Sequence, residues 1–320
     1  MTTSRLALLL SFVLAACGSE GPSGSGGSGG GSGGAGGGSG GAGGGSGGSG
    51  GGGGNDQTVT LSMGPFTVNP GQEVYKCQFY KNPFNGVDTD IKTFENHMTT
   101  GSHHMFLFLS QSNQDAPLAD CQNGGFEFHP YVFTSGSRDT TTTYPDTIGM
   151  QIPGNQGLEI DAHYLNTTQQ TITATVTTTL HIAPSGSVTQ HAGVIFFNDV
   201  GISIPPGGGQ TSSNCNLPID MNFLFVASHM HSRGTHFVAK AGSTVIDDTT
   251  QWADPSPSIF SPPMHQAAGT TINWGCTYDN ETNQTLTFGE SAQTDVMCIL
   301  TGQYYPVPAG RNPLVQCMAF

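Results

Sequence analysis

The sequence predicts an all-β protein, two tandem antiparallel β-sandwich (jelly-roll-like) domains behind an export segment and a Gly/Ser-rich linker. Three observations carry that prediction. From Thr58 onward apolar residues recur mostly at every second position, the spacing at which a strand turns one face to a core. Clusters of Gly, Pro, Asn and Asp break the pattern roughly every ten residues, as turns between short strands do. Past the first residues no stretch shows the helical period of about 3.6.

The elements follow in chain order. Arg5 precedes the apolar run Leu6–Leu10 and Phe12–Leu14, too short to span a bilayer and of the length of a signal-peptide core. The run closes on Leu14-Ala15-Ala16-Cys17, which resembles the bacterial lipobox; residues 1–16 are then a lipoprotein signal peptide and Cys17 the lipidated residue. With Gly18 after the cysteine, the expected location is extracytoplasmic and lipid-anchored, on the outer membrane or surface of a Gram-negative cell. Residues 17–54 hold almost nothing but Gly and Ser beyond the cysteine, and are read as a disordered tether with a reach of about 30–36 Å. Ile172, Ala174, Val176, Leu180 and Ile182 alternate with threonines, the mark of a half-buried strand. The runs Met105–Leu109 and Phe223–Val226 are denser and read as strands covered on both faces. Ala183-Pro184-Ser185-Gly186-Ser187 is the expected junction, dividing residues 55–183 from 184–320.

Composition removes one class of partner. Eight Lys+Arg stand against 22 Asp+Glu, a formal net charge of −14, whereas nucleic-acid binding draws its affinity from basic residues. No nucleic acid is expected. Of seven cysteines, setting Cys17 aside leaves six, at 77, 121, 215, 276, 298 and 317. An even number in an exported chain predicts three disulfides, with fifteen pairings open from spacing alone. No Cys-X-X-Cys pair argues for a thiolate metal site.

Eleven histidines in a lysine-poor chain raise the question of metal, and spacing sorts them. His229 and His231 follow a buried strand two residues apart, so both imidazoles project from one face and can converge on one ion. His103 and His104 open the other buried strand. Adjacent residues point to opposite faces, so both reach one ion only if the backbone bulges, which Gly101-Ser102 permits. His163 stands alone in Asp161-Ala162-His163-Tyr164-Leu165-Asn166. His97, His129, His181, His191, His236 and His265 have no such pattern and are expected at the surface or behind the ligands, and Tyr164, Tyr304 and Tyr305 are expected to pack.

In chain order, His-His-Met at 103–105, His-Tyr-Leu-Asn at 163–166, His-X-His at 229–231, and Asp295-Val296-Met297-Cys298 followed by Tyr304-Tyr305-Pro306 resemble the copper type II, ascorbate-dependent monooxygenases. That family includes peptidylglycine α-hydroxylating monooxygenase and dopamine β-monooxygenase, and the resemblance covers residues 72 to 317. It implies two successive sandwiches with two copper ions per chain. One copper would be held by His103, His104 and His163, the other, catalytic, by His229, His231 and Met297. Three imidazoles suit copper in either oxidation state, and a thioether favours Cu(I). The implied reaction is insertion of one atom of O2 into a C–H bond of a small organic substrate. Ascorbate or another one-electron reductant supplies the electrons, and the second oxygen atom leaves as water. The resemblance also pairs Cys276 with Cys298 and Cys215 with Cys317, leaving Cys77 for Cys121. The chain departs here from the animal enzymes, which carry more cysteines in the first domain. It departs again in substrate recognition: Ala227, Ile299 and Thr301 stand where the peptide-acting enzymes have Arg, Asn and Tyr, so a substrate carboxylate would lack a counter-charge. Two rival readings are a non-catalytic copper-storage or copper-delivery lipoprotein and a structural sandwich that binds no copper in stoichiometric amount.

Overall fold

Alternation along the strands produces two sandwiches. The structure, a computed structural model, describes residues 57–121, 130–253 and 255–320. The expected signal segment, Cys17 and the tether lie outside the described residues, as does His129. Every regular element among the described residues is a strand, apart from turns and bends. The fold is all-β, as the periodicity predicts.

In the first sandwich a five-stranded sheet runs in the order Ala119–Asp120, Glu73–Tyr80, Gly157–Leu165, Ser102–Ser110, Tyr131–Ser135. It packs on a sheet built from Thr58–Val68, Ile172–Ile182, Thr89–Met98, Ile148–Ile152 and Gln190–His191, with Asp139–Thr143 paired to Thr89–Met98. Phe94 and Phe133 stack across the two sheets at 5.1 Å, within a core that also takes Leu107, Ile160 and Val176. In the threonine-rich strand Ala174, Val176, Thr178 and Leu180 face inward. Thr178 keeps its place in that core by donating its hydroxyl to Asn96 Oδ1 at 2.9 Å.

The second sandwich repeats the plan. Ser258–Gln266, Met221–Met230, Cys298–Tyr305, Gly193–Asp199 and Leu314–Ala319 form one sheet. Gly209–Asn216, Thr271–Tyr278, Gly234–Ala241 and Thr244–Thr249 form the other. Trp274 fills the space between them, 5.8 Å from Phe197, and donates its indole N–H to the Cys298 carbonyl at 3.2 Å.

Among the described strands, pairing is antiparallel with two exceptions. Gly193–Asp199 runs parallel to Leu314–Ala319, and Gln190–His191 parallel to Ile148–Gly149. The second of these moves the junction: Pro184 to Ser187 is only a turn, closed by Ser187 N–H on the Pro184 carbonyl, and the chain leaves the first sandwich after His191. A two-residue bridge has no periodicity to read, so the sequence placed the boundary at the turn. Residues of both sandwiches belong to one compact unit. Tyr131 of the first donates to the Ile195 carbonyl of the second at 2.7 Å, and Leu224 of the second packs into the first core.

Three disulfides are present, Cys77–Cys121, Cys215–Cys317 and Cys276–Cys298, the pairs that the resemblance implies. They place the folded part in an oxidising, extracytoplasmic compartment.

Candidate metal centre and the adjoining cavity

The His103-His104 dyad depends on an irregularity in its strand. Ser102 lies opposite Tyr164 and His104 opposite His163, so two steps on one strand match one step on its partner and His103 is the extra residue of a β-bulge. Gly101 supplies the turn into it. Its φ is +93°, and a Cβ there would collide with the Ile172 side chain. With the alternation broken, both rings face the same side, their centroids 5.1 Å apart. The bulge expected at this dyad is present.

His163 arrives from the neighbouring strand, opposite His104. Its ring centroid is 5.0 Å from each of theirs, and it stacks on Tyr75 at 3.9 Å. His229 comes from Met221–Met230 of the second sandwich and His231 follows just past the strand end, 5.3 Å away. The structure then departs from two separated triads. His229 lies 5.1 Å from both His103 and His104, and His231 lies 6.1 Å from His103. Nitrogens of His103, His104 and His229 all fall within 4.8 Å of one another, a group that could hold a single ion and draws on both expected sets. The physical reason is the closure of one sandwich on the other, which spacing along a chain does not encode. Met297 sits immediately before the strand Cys298–Tyr305, nearly buried, with its side chain in the wall of the cavity into which His103, His104, His229 and His231 also project.

The electrostatics favour neutral, lone-pair-bearing rings. Burial, reinforced by neighbouring imidazoles, pushes His103, His104 and His229 well below the ordinary histidine range. Burial likewise lowers His231, to about 4. His163 is lowered by burial and partly restored by Glu73. Among the described residues His103 Nε2 and His104 Nδ1 are buried without a hydrogen-bond partner, a costly state unless a ligand occupies them. That donor set fits copper, whose complexes take imidazole in either oxidation state.

Sequence reasoning missed Glu73. Its Oε1 accepts from His163 Nε2 at 2.8 Å and from the Ala292 backbone N–H at 2.8 Å, while Oε2 accepts from the Ser291 hydroxyl at 2.8 Å. Burial alone would raise this carboxyl, but those three bonds outweigh it and hold it at about 2. Fixing a proton on His163 Nε2 leaves Nδ1 as the free lone pair, 3.3 Å from His104 Nε2. Tyr75 donates to the Glu290 carbonyl, and Ser232 donates to the Ala292 carbonyl, so the segment 290–295 is held from both sandwiches. Asp295 ends that segment by accepting from His231 Nδ1 at 3.3 Å, which leaves His231 Nε2 free. The only local signal was Glu-X-Tyr at 73–75; that Tyr75 pairs with His163 is a register fact.

His97, His181, His191 and His236 each pair with a carboxylate, Asp139, Glu95, Asp90 and Asp248, away from the cluster. Beside the cluster lies a cavity of about 480 Å³, walled by both five-stranded sheets; Ala227, Ile299 and Thr301 all line it.

No family model matches the chain. No curated protein matches it. Among solved structures it is similar to the STIV MCP, with 8% identity and a TM-score of 0.38 over 80% of this chain and 100% of that one. It is similar to the major capsid protein P2 from bacteriophage PM2, with 5% identity and a TM-score of 0.31 over 79% and 99%. A peptide-N(4)-(N-acetyl-β-D-glucosaminyl) asparagine amidase aligns with 10% identity and a TM-score of 0.36 over 77% and 96%. At such scores these likenesses bear on neither activity nor ligand.

Proposed function

We propose that the chain is a copper-dependent monooxygenase that hydroxylates a C–H bond of a small organic substrate with O2 and a one-electron reductant such as ascorbate. The observation that carries this reading is the meeting of five imidazoles, three buried and two half-buried, two of them with unpaired nitrogens, at the head of a cavity large enough for a small molecule. His103, His104 and His229 would hold one ion, and His163, His231 and Met297 supply the remaining donors for a second. Bound copper would supply O2 activation and one-electron transfer. The residues do the rest. Glu73 fixes the His163 tautomer, the Asp295 carbonyl fixes that of His231, and the sheets on either side keep the substrate beside Met297 and away from bulk water. Lipidation at Cys17 would anchor the enzyme at the outer membrane.

Metal analysis followed by exposure of the reduced chain to isotopically labelled O2 and a panel of organic substrates tests this. Two coppers per chain, and label in an alcohol product that is lost in Met297→Ala, are expected. Copper held without any labelled product overturns the enzyme and leaves a carrier; no stoichiometric copper overturns both.

A further inference from the structure

We infer that the substrate of this site is a small, uncharged and predominantly aromatic molecule. The word substrate rests on the monooxygenase reading; the binding preference does not. An unbroken aromatic wall runs away from the metal centre. His104 meets Phe106 at 5.3 Å, Phe106 stacks on Phe108 at 5.3 Å and meets the edge of Tyr131 at 5.4 Å, and Tyr131 meets Phe196 at 6.3 Å. Leu224 and Phe225 of the second sandwich also line the cavity. At about 480 Å³ its volume falls in the range of small-molecule sites, about 300–1,000 Å³.

Charge and hydrogen bonding narrow the class. Among the described residues no Lys or Arg lines the cavity, so an anion would be buried without compensation. The carboxylates that line it among the described residues are Asp161 and Glu290. Burial and the neighbouring Asp295 push Glu290 up to about 7, which makes it a weak counter-ion for a cation near neutral pH. Three of the wall hydroxyls are already engaged by the protein, whereas Tyr144 Oη and Ser228 Oγ are buried without a partner. Tyr131 Oη donates to the Ile195 carbonyl at 2.7 Å, Thr301 Oγ1 reaches the same carbonyl at 3.2 Å, and Thr134 Oγ1 donates to the Met105 carbonyl at 2.8 Å. A substrate with more polar groups than these two hydroxyls can meet would leave the rest unpaired, whereas ring edges and faces match the Phe and Tyr surfaces.

The test uses the full chain freed of metal by a chelator, titrated calorimetrically with 2-naphthol, 2-naphthoate and 2-naphthylmethylammonium. Saturable binding of 2-naphthol, at least about tenfold tighter than either charged analogue, is expected; each 1.4 kcal/mol of uncompensated charge is about tenfold. Ala227→Arg or Thr301→Arg, each placing a cation in the wall, is expected to shift the preference to 2-naphthoate while far-UV circular dichroism stays unchanged. Equal or tighter binding of either charged probe by the unaltered chain overturns the inference, as does absence of saturable 2-naphthol binding. Because these measurements contain no copper, their failure is distinct from a failure to bind metal.

Discussion

His163 has one ring nitrogen bonded to Glu73 and turns the other, its lone pair, toward His104, and that arrangement links a metal ligand to a carboxylate the sequence does not advertise. Glu73→Gln keeps the size and one acceptor but removes the charge. Copper affinity is expected to fall about 10–100-fold by chelator competition, with about 1–3 kcal/mol lost from stability by urea unfolding. An unchanged affinity would sever Glu73 from the centre. The histidines give a pH dependence of definite sign. Unfolded imidazoles titrate near about 6.5, whereas folding lowers His103, His104 and His229 well below that and His231 to about 4. Between these values the unfolded chain binds more protons, so stability is complete above about pH 6.5 and declines as the pH falls toward 4. Thermal unfolding of the metal-free chain at about pH 7.5 and about pH 5.5, one unit either side of the free histidine value, should show a lower Tm at the acid end; a Tm that rises there contradicts neutral rings in the folded chain. At this scale residue type and spacing made the candidate ligands legible, because imidazole and thioether are recognisable letters. Glu73 was not legible, since a carboxylate becomes an orienting group only through the strand register that sets it near His163.

The strand Ser102–Ser110 shows how one inserted residue creates a site. Had the ladder been regular, His103 and His104 would face opposite sides; the bulge brings both rings into the cluster. Deleting Ser102 restores one-for-one pairing and should turn one imidazole away. Copper affinity is then expected to drop by about tenfold or more, while far-UV circular dichroism retains its β character. Undiminished copper binding would show that the bulge is incidental. Period-two alternation made strands such as Ile172–Ile182 readable, because one face must meet a core. The denser runs were readable too, since Leu107 and Phe223 enter the cores while the half-buried Phe106 and Phe225 cover the cavity from the other face. The bridge Gln190–His191 was not, because two residues carry no period, and Thr178 escaped the apolar pattern by burying its hydroxyl on Asn96.

At the level of the molecule the two sandwiches act as one body. Tyr131, Glu73 and Leu224 each reach across to the other half, so heat should unfold both in one calorimetric transition, and two resolved transitions would contradict that coupling. Fold class and tandem arrangement follow from local pattern, but the separation of the two ligand sets depends on how the halves close. The motifs allow two distant centres; the folded chain brings His229 within 5.1 Å of both His103 and His104. A copper anomalous-difference map from crystals of the copper-loaded chain decides between these arrangements. Shared coordination predicts a peak bounded by His103, His104 and His229, with ligands from both sandwiches. Peaks held solely within each sandwich, one by His103, His104 and His163 and a distant one by His229, His231 and Met297, would contradict it.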